Sequence, residues 1–254
     1  MPSFFQSAAL SARETVFIPT GNFFFKYRNF LFIFLYAALL IPSPQLFTRA
    51  GFGPSYYLIP VILGLLITLT GQLVRGATIG LTYVPREGVN KNVHASELIT
   101  QGLFRHCRNP LYVGNIMMLL GLGIMANSLY YLAIFIPAFL FIYQSIVLAE
   151  ENFLGNKFGS QYHNYCSRVN RWFFNASDLG ATFRQMKFDA KRWMFTEYNI
   201  VFIWISGVTL ILLMKHPVLT SHDESLRNII LGAAMALWTA GYLYIRYLKK
   251  SKRR

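Results

Sequence analysis

Acidic residues are scarce in this sequence. Only 10 Asp and Glu stand against 24 Lys and Arg in 254 residues, and charged side chains of both signs make up 13%. So few polar positions cannot cover the water-facing surface of a fold this long, which excludes an ordinary soluble domain. Cysteine is rarer still. Cys107 and Cys166 are the two, which excludes a disulfide framework, and both fall in segments expected to face the cytoplasm, where thiols stay reduced. There is no Cys-x-x-Cys or His-x-x-x-His, and the five histidines are scattered, so no metal is expected. A Gly-x-Gly-x-x-Gly loop of the soluble dinucleotide-binding type is also missing. Residues 1–6 carry no positive charge, so no cleaved secretory signal is expected and the N-terminus should be retained.

What abounds is apolar: 54% of residues are hydrophobic and 17% aromatic. Runs of about 20 apolar residues fall near 27–46, 56–77, 111–127, 129–149, 198–214 and 226–247, predicting six membrane spans. The expected fold class is all-α, a polytopic transmembrane helix bundle forming a single integral membrane domain over 1–254. Only Asn127 and Ser128 separate the third and fourth runs, which predicts a tight helical hairpin. Residues 3–18 mix apolar side chains with Ser, Arg13 and Glu14, as an interfacial segment does.

A net charge of +14 in a soluble protein would suggest nucleic acid. Here the cations cluster between apolar runs and in the tail Lys249, Lys250, Lys252, Arg253 and Arg254, where they set orientation and meet anionic headgroups. No nucleic-acid partner is expected. With the N-terminus inside, the outer connections hold only Arg49, Lys215 and Arg227, leaving 21 of the 24 cations inside. That asymmetry predicts a multi-pass protein with both termini cytoplasmic, in a bacterial inner membrane or the endoplasmic reticulum.

Two inner segments, 78–110 and 150–197, are too long for simple connectors, and long ordered loops tend to carry function. Within 173–197, Phe183, Met186, Ala190, Trp193 and Met194 recur at helical spacing beside Arg184, Lys187, Lys191 and Arg192, predicting an interfacial amphipathic segment. Two further spans occupy 198–254. In the first inner segment Asn109 and Pro110 read as the cap and first turn of a helix, with Tyr112 and Gly114 just beyond. Free N–H groups there suit an anionic or polar ligand. Glycine at 114 serves either close helix packing or close approach of a cofactor. In the second, Glu150 and Glu151 stand side by side at the expected end of the fourth span. Two carboxylates at the negative end of a helix dipole call for a compensating cation, either a ligand or one of Arg105, Arg108 and Arg168.

The ordered series Gly102 to Phe104, Arg108-Asn109-Pro110-Leu111-Tyr112-Val113-Gly114, Glu150-Glu151, Phe158-Gly159 with Tyr162 and Tyr165, and Val169-Asn170-Arg171-Trp172 resembles the isoprenylcysteine carboxyl methyltransferase and phospholipid methyltransferase superfamily. The resemblance covers residues 94–172. It implies an integral membrane methyltransferase dependent on S-adenosyl-L-methionine, whose lipid or isoprenoid substrate enters from the bilayer. It further implies that Leu98, Ile99 and Phe104 line the adenosine and that Asn109, Pro110, Leu111 and Tyr112 hold the methionine part. Glu150 would be the main acidic contact, supported by Glu151 and Arg108 at the reaction centre and by Gly114 close to the cofactor. In such a site the substrate itself attacks the methyl group, and positioning supplies much of the acceleration.

Two departures stand out. Asn109 replaces the histidine of many members, and cannot titrate near neutrality. The stretch Tyr143-Gln144-Ser145-Ile146 lacks the arginine that carboxylate-methylating members resemble one another in having there, which favours a neutral acceptor. Membrane sterol or lipid reductases using a nicotinamide dinucleotide resemble the same half of the chain and remain an alternative. So does a non-enzymatic lipid-binding protein of the same fold.

Overall fold

The computed structural model describes residues 16–84 and 95–251. The interfacial reading of 3–18 lies largely outside them, as do Arg13, Arg86, Lys91 and the last three tail residues. Among the described residues there is no strand, so the all-α class holds. Helix α1 is Ile18–Ala37, α2 Leu58–Leu81, α3 Pro110–Met125, α4 Ile136–Phe158, α5 Ser160–Arg168, α6 Leu179–Gln185, α7 Ala190–Lys215 and α8 Glu224–Ser251.

The first span was expected at 27–46, but α1 starts at Ile18 with Pro19 in its first turn and stops at Ala37. Pro42 and Pro44 explain the stop, since neither can donate within a helix and each disfavours helical geometry in the residue before it. The freed stretch is tied down by Asn127 in the hairpin turn. Its Oδ1 accepts from Leu46 N at 2.9 Å and Phe47 N at 2.8 Å, while Nδ2 donates to Phe47 O at 2.8 Å. Asn127 itself has φ 49°, a left-handed conformation that Asn tolerates.

Among the described residues, four helices are long and apolar enough to cross a bilayer: α2, α7, α8 and the 28-residue run Tyr131–Phe158 that contains α4. Helix α3 has 16 residues, shortened by Pro110 at one end and the hairpin turn at the other. Lys26 and Arg28 interrupt the apolar character of α1. Tyr131–Phe135 forms a π-helical turn just ahead of Pro137, where the missing proline N–H prevents a regular ladder. The amphipathic pattern over 183–194 is not one surface helix. It divides at 186–189, and its second part opens α7, capped by Asp189 Oδ1 accepting from Arg192 N at 2.8 Å.

Helices α2 and α3 cross closely through glycines seven residues apart on each. A Cβ at Gly64 would lie 2.5 Å from Gly121 O, and one at Gly71 2.6 Å from Gly114 O. Small residues of this kind let membrane helices approach where lipid offers no hydrophobic drive. Helix α7 packs on α2, Trp204 Nε1 donating to Thr68 Oγ1 at 2.8 Å. Helix α8 buries no residue and rests on α7 through Trp238 Nε1 to Thr209 Oγ1 at 3.2 Å and Tyr242 against Phe202 at 4.9 Å.

Candidate functional site

A short helical turn, Gly102–Arg105, leads into 106–109 and then α3. Tyr165 on α5 donates to Phe104 O at 2.7 Å, and His106 bonds Asn175 O at 2.8 Å and Thr182 Oγ1 at 2.7 Å. These contacts fasten the first inner segment to the second.

The tightest fastening is the strap at 170–172. Arg108 N donates to Asn170 O at 2.9 Å, and Asn109 Nδ2 to Arg171 O at 3.1 Å. Asn109 occupies the N-cap position of α3 without a side-chain cap bond, because its amide is turned to the strap instead. The Arg171 guanidinium grips Glu151 in a fork, Nε to Oε1 at 2.8 Å and Nη2 to Oε2 at 2.6 Å. Trp172 Nε1 donates to Gln144 Oε1 at 3.0 Å. Arg108 Nη1 reaches Glu151 Oε1 at 3.1 Å and Cys166 Sγ at 2.8 Å. Burial works against the charge on Arg108, but the Glu151 carboxylate and Cys166 outweigh it and hold the guanidinium charged. Burial also pushes the Cys107 thiol up to about 11.

The acidic pair is therefore divided. Glu151 is buried between two arginines. Glu150 is half-buried and accepts from Tyr112 Oη at 2.7 Å; among the described residues no cation comes within ion-pair distance of it. The expectation that both sit at a helix end is corrected, since α4 runs on to Phe158, about two turns further. A helix dipole acts over the last turn, so two arginines, not relief of the dipole, account for Glu151.

Of the residues expected from sequence, Tyr112 and Glu150 meet directly, as do Arg108 and Glu151. Leu98, Ile99 and Phe104 are half-buried in the segment approaching α3, and Pro110 and Leu111 open that helix. Gly114 is not brought to this group: it faces α2, where an added Cβ would lie 2.6 Å from Arg75 Cγ.

Other residues of the neighbourhood were missed. The Tyr112 and Tyr143 rings lie 5.1 Å apart. Arg75 on α2 forks onto Glu197 on α7 at 2.8–3.0 Å and also donates to Asn115 Oδ1 at 2.7 Å and Leu111 O at 3.3 Å. Part of the signal was available, since a charge inside an apolar run demands a partner: Arg75 lies within one such run and Glu197 stands immediately before another.

Residues 59–161 match the sequence profile of the phospholipid methyltransferase family. That stretch holds α3, α4 and nearly all of α2, and leaves out α1, α7 and α8. The nickel-cobalt-cadmium resistance protein NccN of Alcaligenes xylosoxydans xylosoxydans is 30% identical over 157 residues, which cover 56% of this chain and 73% of that protein. The chain belongs to the phospholipid methyltransferase family. Within this family relationship, the cobalt-zinc-cadmium resistance protein CzcN of Cupriavidus metallidurans is 37% identical over 76 residues, 30% of this chain and 35% of that one. No solved structure matches. The family and the apolar helices together indicate a membrane methyltransferase.

Proposed function

We propose that this phospholipid methyltransferase relative transfers a methyl group from S-adenosyl-L-methionine to a lipid or isoprenoid acceptor drawn from the bilayer, at a site on the cytoplasmic side. The observation that carries the reading is the division of the acidic pair. One carboxylate is neutralised by Arg108 and Arg171, while among the described residues its neighbour takes a hydrogen bond from the Tyr112 hydroxyl and pairs with no cation, which suits a ligand with cationic or hydroxyl donors.

The residues fit that cofactor. Its ammonium and ribose hydroxyls can donate to Glu150, and its base can lie against Leu98, Ile99 and Phe104. Asn109, Pro110, Leu111 and Tyr112 would meet the methionine part at the opening of α3, where no side chain caps the first turn. When bound, the cofactor supplies an electrophilic methyl on a sulfonium. Arg108 and Glu151 act as positioning residues that hold the 106–109 turn against the strap, which is where their partners direct them. Both termini and the site are assigned to the cytoplasmic side from the distribution of Lys and Arg.

The test is calorimetric titration of detergent-solubilised protein with S-adenosylhomocysteine. Glu150→Gln should weaken binding while thermal stability stays near wild type. Binding of a nicotinamide dinucleotide in place of the adenosyl ligand would replace this reading with the reductase one.

A further inference from the structure

Arg75 and Glu197 are buried charges that the proposed chemistry does not use. An ion pair in an apolar interior is a weak source of stability, because desolvation of both groups offsets most of their attraction. Arg75 also reaches further than a tie between two helices requires. Its Nε and Nη2 fork onto Glu197 at 2.8–3.0 Å, which joins α2 to α7 and fixes the plane of the guanidinium. Nη1 is thereby aimed at α3, where it donates to Asn115 Oδ1 at 2.7 Å and to Leu111 O at 3.3 Å. These acceptors stand one turn apart at the opening of α3, on either side of Tyr112.

Gly114 gives this arm its passage. A Cβ there would lie 2.6 Å from Arg75 Cγ, so the stem of the arginine runs where a side chain at 114 would stand. Beyond Asn115 the contact continues: its amide hydrogen-bonds the Tyr143 hydroxyl, and with Oδ1 turned to Arg75 the Nδ2 group is the donor. The Tyr143 ring lies 5.1 Å from that of Tyr112, whose hydroxyl donates to Glu150 Oε1 at 2.7 Å. Arg75 therefore acts on Tyr112 twice, through the backbone of its own turn and through the ring packed beside it. The strap holds the residues just before this turn through Arg108 and Asn109, so the opening of α3 is gripped from two sides.

We propose that Arg75, oriented by Glu197, is a positioning residue of the methyl-transfer site: it sets the first turn of α3 and, through Tyr112, the Glu150 carboxylate. This rests on the methyltransferase reading and adds to its site a residue of α7, a helix outside the stretch that matches the family. The effect is geometric. A displacement of about 1 Å at a bound group can lower turnover about 100-fold, and a binding group stays in place only when the residues behind it are themselves fixed. A lysine at 75 could keep the charge on Glu197 but has neither the planar fork nor donors in two fixed directions.

The experiment separates positioning from stability. The full chain in non-ionic detergent is titrated with S-adenosylhomocysteine by calorimetry, its thermal melt is recorded, and backbone amide exchange is followed by mass spectrometry. Arg75→Met with Glu197→Gln removes both buried charges and should melt well above Arg75→Met alone, yet bind S-adenosylhomocysteine about 10- to 100-fold more weakly than wild type and exchange faster over 111–115. Asn115→Leu, which keeps the ion pair and cuts its main link to α3, should show the same two changes. Arg75→Lys should regain melting temperature without regaining affinity. Trp204→Phe removes the bond to Thr68 between the same two helices and should change neither affinity nor exchange over 111–115. Affinity that returns with melting temperature in the double variant overturns the proposal and leaves the pair a structural tie, as does unchanged exchange over 111–115. Faster exchange there in both variants, with no S-adenosylhomocysteine binding even by wild type, would uphold the grip on α3 and overturn the cofactor reading.

Discussion

Glu150 and Glu151 are chemically identical neighbours with opposite surroundings, and substitution should separate them. Glu151→Gln leaves two half-buried arginines, Arg108 and Arg171, against a buried neutral amide, a loss of ~3 kcal/mol at most for breaking such a pair. It should lower the melting temperature by several degrees and reduce cofactor affinity only through loosening of the strap. Glu150→Gln removes a charged acceptor from the proposed ligand and should weaken S-adenosylhomocysteine binding by about 10- to 100-fold, with the melting temperature nearly unchanged. Reversal of the two phenotypes would exchange their roles. The cysteines separate as cleanly. Cys107 is fully buried and its thiol is pushed up to about 11 by that burial, whereas Cys166 is half-buried. Iodoacetamide at pH 8 should therefore alkylate Cys166 in the folded protein and reach Cys107 only on unfolding, as peptide mass mapping would show; equal labelling would contradict the packing around 106–109.

At the scale of elements, charged pairs inside apolar helices hold the arrangement. Arg75 joins α2 to α7 through Glu197 and reaches the first turn of α3 through Leu111 O and Asn115. Arg75→Met alone strands Glu197 in the interior and should cost ~3–5 kcal/mol. Arg75→Met with Glu197→Gln should recover much of the loss in a thermal melt, and no recovery would mean that the pair is not the source of the cost. A second junction ties the connection after α7 to the end of α3, where the His216 ring Nε2 faces Met125 O at 2.6 Å and must therefore donate. Burial lowers the proton affinity of His216 below its ordinary 6.5. The unfolded chain then takes up a proton that the folded one resists, so stability is full above pH 6.5 and declines as pH falls below it. His216→Gln should flatten that decline between pH 6.5 and 5 in melting experiments; an unchanged slope would place its origin elsewhere.

Much at this scale was legible in the sequence, and the failures have physical causes. Apolar runs located α2, α4, α7 and α8, and the Asn127 and Ser128 break located the hairpin. Hydropathy alone cannot see that Pro42 and Pro44 end α1 early, although proline geometry can. Nor does any local pattern show that Glu151 belongs to Arg171 or Arg75 to Glu197, since the partners are 20 and 122 residues apart and only folding joins them. Gly114 read equally well as a packing or a ligand position until α2 was seen against it. The motif series put Tyr112 and Glu150 in one site, and the α3–α4 hairpin brings the two side chains to 2.7 Å.

For the whole molecule, the distribution of cations and the position of the strap make one joint statement. The turn at 106–109, the strap at 170–172 and the acidic pair of α4 are joined through Arg108, Asn109 and Arg171, and under the proposed topology this group faces the cytoplasm. Topology is tested by a membrane-impermeant maleimide applied to intact cells and to inverted vesicles: Cys166 should label only in the inverted vesicles, and labelling from the outer face would reverse the orientation. The most direct measurement of the function is methyl transfer itself. Purified protein is incubated with methyl-labelled S-adenosylmethionine and a total lipid extract from its own host, and the lipids are resolved by mass spectrometry. The expected result is label in a lipid or isoprenoid with wild-type protein and its loss with Glu150→Gln. An unlabelled lipid fraction from folded wild-type protein, with label remaining wholly on the cofactor, would contradict the assignment.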